Sequence, residues 1–146
     1  MFVKEISSKE TFPLRIEILR NGISENYQFL EDDFESTIHL GAFIKKQCIG
    51  ILTLIQKEFP NTSKKNSYQL RGMAINKSSQ RQGVGKILIT ETFKILQHKE
   101  VELLWCNARQ NAIDFYTKLG FRIIGKAFDI PSIGLHYTMS IDLGNL

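Results

Sequence analysis

Gln80-Arg81-Gln82-Gly83-Val84-Gly85-Lys86 is the stretch on which the reading of this chain turns. It lies between a segment with the composition of a strand, Ser67 to Ile75, and one with the periodicity of a helix, Val84 to Gln97. A glycine-punctuated turn that leaves a strand and opens a helix aims several unpaired backbone N–H groups one way, together with the positive end of the helix dipole. Phosphate is the usual occupant of such a site. Two common nucleotide loops are excluded by spacing. A Walker A loop needs glycine where Gln80 stands and a hydroxyl where Ile87 stands, and the dinucleotide fingerprint needs a third glycine at Leu88. Glycines in such a turn also serve backbone geometry alone, and the motif by itself leaves that alternative open.

A length of 146 residues suits one compact domain, 1–146, and is short for two. Hydrophobic residues at 42% and charged residues at 23% give the balance of a soluble globular chain and not of a disordered one. No apolar run reaches membrane-span length, and Met1 to Ile6 lacks a signal-peptide core, so a cytoplasmic protein with no membrane partner is expected. Cys48 and Cys106 lie in strand-like stretches without a Cys-x-x-Cys or Cys/His cluster. They read as buried free thiols, and no metal is expected. The formal net charge of +4 is spread along the chain with no long basic run, so nucleic acid is not the expected partner, although a basic nucleic-acid binder is the rival to test. Lys64, Lys65, Arg71, Lys77, Arg81 and Lys86 crowd around the glycine loop in sequence, where a pyrophosphate needs counter-charge. An ordinary solvated surface accounts for such crowding equally.

Taken in order, Phe2 to Ile6 has the alternation of a first strand, followed by a polar break from Ser7 to Thr11. Pro13 suits the first turn of a helix, whereas Leu14, Ile16 and Ile18 alternate as a strand would. The acidic run Glu31, Asp32, Asp33 and Glu35 reads as a solvated loop or short helix. Thr37 to Lys45 alternates as a half-buried strand, Lys46 and Gln47 suit a tight turn, and Ile49 to Ile55 has the continuous apolar character of a central strand. Phe59 to Asn66, with Pro60, Asn61 and Ser63, reads as a loop. In the helix from Val84, Lys86, Thr90, Lys94 and Gln97 form a polar stripe and Ile87, Leu88, Phe93, Ile95 and Leu96 an apolar one. Leu103 to Ala108 is a short strand, Asn111 to Leu119 an amphipathic helix capped by Gly120, and Phe121 to Ile130 and Leu135 to Ile141 are two final strands.

Gln80, Gly83 and Gly85, as Gln/Arg-x-x-Gly-x-Gly, resemble the pyrophosphate loop of the GNAT superfamily of N-acetyltransferases. Asn111-Ala112-x-x-Phe115-Tyr116-x-Lys118-Leu119-Gly120-Phe121 resembles that family's helix after the fifth strand, and the order of elements along the whole chain is similar too. The resemblance implies an α/β (α+β) fold with a central mixed, mostly antiparallel sheet of six to seven strands flanked by about four helices. It favours a helix over Leu14 to Arg20. It implies acetyl-CoA as co-substrate and a small-molecule or peptide amine as acceptor. By the same resemblance Gln80, Arg81, Gln82, Gly83, Val84, Gly85 and Lys86 hold the pyrophosphate. Met73, Ala74 and Ile75 bond the pantetheine and thioester carbonyl through the main chain, Asn107 and Asn111 contact the cofactor, and Tyr116 reaches its sulfur.

Attack of an amine on a thioester puts negative charge on the carbonyl oxygen, expels a thiolate and releases a proton. A backbone N–H of Met73 or Ile75 suits the first demand. The phenol of Tyr116, ordinarily near pKa 10, suits the second as general acid. By periodicity alone Tyr116 extends an apolar stripe with Phe115 and Leu119, and Asn111 could be an N-cap. The family's frequent fourth-strand glutamate has no counterpart, since Ser67 to Asn76 holds Arg71 and no carboxylate. His39, His136, Asp129 and Glu35 are the weak candidates for a base, and each has a packing or solvated alternative. Arg71 is open to a salt bridge within the protein or a carboxylate on the acceptor. A non-catalytic acyl-CoA binding module is the alternative function, and dimerisation, common in such folds, is left open.

Overall fold

The computed structural model describes residues 1–59, 64 and 66–146; Pro60, Asn61, Ser63 and Lys65 of the sequence reading lie outside the described residues. The described residues form seven strands: β1 (Phe2–Ile6), β2 (Ile38–Ile44), β3 (Gln47–Gln56), β4 (Ser67–Ile75), β5 (Leu103–Arg109), β6 (Arg122–Ile130) and β7 (Gly134–Asp142). They hydrogen-bond in the order β1-β2-β3-β4-β5-β7-β6. β4 and β5 are parallel, and β1–β2, β2–β3, β5–β7 and β6–β7 are antiparallel. This is the expected mixed, mostly antiparallel sheet. The helices among the described residues are α1 (Ser8–Leu14), α2 (Val84–His98) and α3 (Ile113–Lys118), with short 3₁₀ turns and a π turn, Arg15–Leu19, that continues α1. The expected count of about four helices therefore falls to three, because residues 21–37 hold turns and no helix.

The first helix begins earlier than its proline suggests. Ser7 caps it: the Glu10 N–H donates to Ser7 Oγ, and Ser7 N–H donates to Glu10 Oε1 at 3.0 Å, a reciprocal capping box. The Ser7-x-x-Glu10 spacing was the start signal, and the stretch read as a polar break is the helix's first turn. Pro13 sits inside α1, and the backbone widens into the π turn soon after it.

The chain divides into two compact units, Met1–Gln56 with Leu70–Ile95, and Lys57–Gln69 with Leu96–Leu146. In the first, Ile6, Leu14, Phe43, Ile51 and Ala74 form an apolar cluster to which Ile18, Leu19 and Cys48 add. β2 is buried on both faces from Ile38 to Phe43, not half-buried as its alternation suggests. The second face is covered because Phe43 joins the cluster, Gly41 lies against Ile6 and Phe43, and His39 has buried polar partners. β3 is covered from Ile49 to Ile55, as its composition implies. The buried residues of α2 include Val84, Leu88, Ile89, Thr92 and Leu96, while Ile87 is 40% exposed, so the apolar stripe is turned from the one expected. Thr92 is accommodated because its hydroxyl donates to the Leu88 carbonyl at 2.9 Å.

In the second unit, β7 pairs β5 from Leu103–Asp142 to Arg109–His136 and pairs β6 on its other side. The β6–β7 register shifts between Ile124 and Phe128, around Gly125 at φ +77°. Gly120 ends α3 as expected, at φ +103°. Gly120 N–H donates to the Thr117 carbonyl at 3.0 Å and Phe121 N–H to the Tyr116 carbonyl at 3.1 Å, a Schellman closure.

Candidate active site

The loop after β4 is built from its own side chains. Asn76 N–H donates to the Ile49 carbonyl at 2.8 Å, tying the end of β4 to β3. A single 3₁₀ turn, Lys77–Ser79, follows, with the Asn76 side chain accepting from Ser78 N–H. Gln80 Nε2 then donates to the Ile75 carbonyl at 3.0 Å and Gln82 Nε2 to the Ser78 carbonyl at 3.1 Å. Arg81 at φ +63° and Gly83 at φ +83° turn the chain into α2, whose first bond runs from Ile87 N–H to the Gly83 carbonyl at 3.1 Å. Glycine is called for at Gly83 by this backbone angle alone, since a Cβ there meets nothing within 4 Å.

This geometry leaves the N–H groups of residues 81–86 without an acceptor among the described residues. α2 is long enough to carry a macrodipole, and its first turn holds no acidic residue. Of the six crowding cations, Lys64 is paired with Asp142 at 3.4 Å and Arg71 with Glu31 at 3.5 Å. Lys65 is outside the described residues. Lys77, Arg81 and Lys86 are exposed and make no ion pair among them. A polyanion is the ligand such a loop accepts.

Two glycines unmarked in the sequence reading position the loop. A Cβ at Gly50 of β3 would stand 2.9 Å from both Ile75 Cδ1 and Val84 Cγ1, so glycine lets the first turn of α2 lie against β3. Gly72, inside β4, has φ +62°, and a Cβ there would stand 2.9 Å from the Phe29 ring. Past Gly72, strand alternation places the Asn76 and Ala74 N–H groups toward β3 and those of Ile75 and Met73 away from it. The β4–β5 register ends at Gln69–Trp105. The Met73 and Ile75 N–H groups therefore belong to neither ladder. Their signal in the sequence, a glycine inside a strand, is a weak one.

Met73, Ala74, Ile75 and Gln80 to Lys86 are thus brought together in the first unit, while Asn107, Asn111 and Tyr116 belong to the second. Asn107 is exposed on β5 and its Oδ1 accepts from the Thr138 hydroxyl at 2.9 Å. Asn111 is exposed within a 3₁₀ turn, Gln110–Ala112, and is not the N-cap of α3; Ala112 holds that position, without a side-chain bond. Tyr116 is buried, edge-on to Phe115 and Phe121 at 5.1 and 5.2 Å between centroids. Burial, with Cys106 nearby, pushes its phenol well above the ordinary range, so it remains a protonated donor. Burial likewise pushes the Cys106 thiol up to about 12, and Cys48 is raised by the same cause, which leaves neither thiol activated as a nucleophile.

The acidic run lies in turns with Asp33 and Glu35 exposed, as expected of a solvated loop, but Asp32 departs from that reading. Asp32 is buried and takes both terminal nitrogens of Arg15, at 2.8 and 2.9 Å, and Arg15 is only 1% exposed. Arg15 also donates to the Tyr27 carbonyl and to Thr53 Oγ1 at 2.8 Å. Thr53, having accepted from Arg15, donates to His39 Nδ1 at 2.8 Å, and His39 Nε2–H donates to the Asp32 carbonyl at 2.8 Å. Those partners assign the tautomer and occupy both ring nitrogens, which removes His39 as a base. His136 is buried and its Nδ1–H donates to the Gly134 carbonyl, while Asp129 and Glu35 are exposed.

Residues 4–121 match the acetyltransferase (GNAT) family. An uncharacterized N-acetyltransferase of Bacillus subtilis (strain 168), YitI, is 37% identical over 138 residues, covering 94% of this chain and 93% of its own. In fold, the chain is similar to an aminoglycoside 6'-N-acetyltransferase complexed with coenzyme A, with a TM-score of 0.74 at 14% identity over 98% of this chain and 97% of that one. It is similar also to an acyl-CoA N-acyltransferase from Pseudomonas aeruginosa, with a TM-score of 0.75 at 15% identity over 95% and 97%. With its glycine loop, its interrupted fourth strand and a sequence match through both units, the chain belongs to the GNAT family of acetyltransferases.

Proposed function

We propose that this chain transfers an acetyl group from acetyl-CoA to a primary amine by direct attack within a ternary complex. The observation that carries the reading is the loop, where the N–H groups from 81 to 86 and the exposed Lys77, Arg81 and Lys86 have no acceptor or ion pair among the described residues. The pyrophosphate of the co-substrate is the ligand that matches it. The family match through residues 4–121 crosses both units and supports reading the chain as a single catalytic domain. The co-substrate supplies an activated thioester. The Met73 and Ile75 N–H groups, free of the β4 ladders, stabilise the carbonyl oxygen as it gains charge. Tyr116 gives its proton to the departing thiolate, and Asn107 and Asn111 orient the co-substrate. With His39 fully bonded and no carboxylate on β4, the amine loses its proton to solvent or arrives neutral. Neither thiol forms an acyl intermediate, since each is held protonated.

Calorimetric titration with acetyl-CoA and with CoA tests the reading, on the wild type and on Gly83→Trp. The expected result is saturable one-site binding that the tryptophan abolishes, because a side chain at φ +83° is strained and an indole crowds the N–H array. Failure of the folded wild type to bind either ligand sinks the reading. Tyr116→Phe then separates catalysis from binding: affinity is retained and kcat falls about 100-fold. Binding without acceptor-dependent thiol release in any acceptor screen would instead identify an acyl-CoA binding module.

A further inference from the structure

Two arginines lie over the same phenylalanine, and they differ in how their terminal nitrogens are used. Arg15 Cζ is 3.9 Å and Arg71 Cζ 4.2 Å from the centroid of Phe29. Arg15 is sealed, with four hydrogen bonds on its terminal nitrogens. The Arg71 side chain is 36% exposed, and its ionic partner among the described residues, Glu31, stands 3.5 Å from Nη1. That distance is well beyond the roughly 2.7–2.9 Å of a charge-assisted hydrogen bond. The remaining N–H groups of the Arg71 guanidinium have no acceptor among the described residues. A structural arginine would resemble Arg15; a planar donor fork held by an aromatic face, with its donors unused, is a receptor for a planar anion.

Its place on the strand says which anion. Arg71 precedes Met73 by two residues, on the same strand as the N–H groups assigned above to the thioester oxygen, and apart from the cations of the glycine loop. Glu31 marks the position a carboxylate takes on this guanidinium, at a distance that attracts without closing a hydrogen bond. Burial already pushes the Arg71 pKa down, against the pull of Glu31, as expected for a cation given less solvation and pairing than it can use.

Resting on the acetyl-transfer reading, we infer that Arg71 receives a carboxylate carried by the acceptor, which makes the acceptor class amines that are also acids, such as free amino acids. Glu31 is the internal competitor that the incoming carboxylate displaces. Arg71 is a specificity-determining residue, and it takes no part in the proton transfers.

The test uses matched acceptors with the full chain: glycine, alanine and glutamate against glycinamide, alaninamide and methylamine, followed by thiol release from acetyl-CoA. Wild type should favour the acids by about 10- to 100-fold in kcat/KM, the range for a charged hydrogen-bonded contact. Arg71→Gln should erase that preference through KM, with calorimetric affinity for acetyl-CoA unchanged. Arg71→Lys should keep part of it, as a charge without the fork. Glu31→Gln should lower KM for the acids and leave that for the amides unmoved, which keeps the inference exposed should Arg71→Gln fail to fold. Equal use of amides, absence of transfer to any of the acids, or a preference that survives Arg71→Gln overturns the inference while acetyl-CoA binding stands. Loss of acetyl-CoA binding by the wild type is a separate result, and it strikes the acetyl-transfer reading itself.

Discussion

The first unit contains two concentrations of polar groups that handle hydrogen bonding in opposite ways. Around Arg15, the buried Asp32, Thr53 and His39 form a closed set in which nearly every donor meets an acceptor, the Arg15 Nε being left over against Phe29. Around Gly83, successive N–H groups and three exposed cations have no acceptor or counter-charge among the described residues. A buried polar group without a partner is costly, so a closed set under the surface is scaffold. A set at a loop braced by its own glutamines, with its donors unused, is poised for a ligand. The contrast assigns stability to the first region and binding to the second, and each assignment is separable by mutation.

The largest effect is expected at Asp32. Asp32→Ala leaves the Arg15 charge buried without its carboxylate, and urea unfolding should register a loss of about 3–5 kcal/mol. The folded fraction should bind CoA with unchanged affinity; a parallel loss of affinity would break the division. The same carboxylate sets an acid limit. Burial raises its pKa, but the hydrogen bonds from Arg15 and the Phe29 N–H and the Arg15 charge outweigh that and hold it below the ordinary carboxylate range. A group lowered in the folded state contributes fully above its unfolded value, about 3.9, and that contribution drains as pH falls through the folded value. Stability of the wild type should therefore drop steeply below about pH 4, and Asp32→Asn, starting lower, should show a shallower drop there.

Next come two glycines with similar backbone angles and different surroundings. Gly72→Ala forces a Cβ within 2.9 Å of Phe29 at φ +62° and should cost about 2–4 kcal/mol, adding overpacking to left-handed strain. Gly83→Ala at φ +83° meets open space and should cost only the strain, about 1–2 kcal/mol, while weakening CoA binding. Paired unfolding curves decide it; equal losses would mean that the Phe29 contact yields.

What was readable in the sequence follows from how local each cause is. The bounds of β4, the start of α2 and the closure at Gly120 depend on residues within a few positions of one another, and those agreed with their patterns. The polar network was hidden, because Arg15 and Asp32 are 17 positions apart and an acidic run looks solvated until its counter-charge is known. His39 read as one face of a half-buried strand for the same reason, since what covers it comes from Asp32 and Thr53. Gly50 looks like an interruption in an apolar run and Gly72 like one in a mixed strand, and the packing of Val84 and Phe29 on them, with the left-handed angle at Gly72, is what disfavours a side chain. In α2 the buried stripe differs from the expected one because Thr92 hides its hydroxyl in the helix, which left Ile87 rather than Ile89 as the plausible core residue.

The smallest effect tests the binding region from within one helix. Lys86 lies in the first turn of α2, exposed and without an ion pair among the described residues, and Lys94 lies two turns on, 70% exposed with Glu91 at 4.0 Å. Both are surface lysines, and neither truncation should alter unfolding by more than about 0.5 kcal/mol. If the loop holds phosphate, Lys86→Ala should cost about 1 kcal/mol of CoA affinity, roughly fivefold, and flatten the salt dependence of binding. Lys94→Ala should change neither, because its charge lies beyond the helix's first turn and its field there is screened. Equal small losses from both would mean that the anion is drawn by net surface charge. Loss confined to Lys86 would locate it at the N–H array that opens α2.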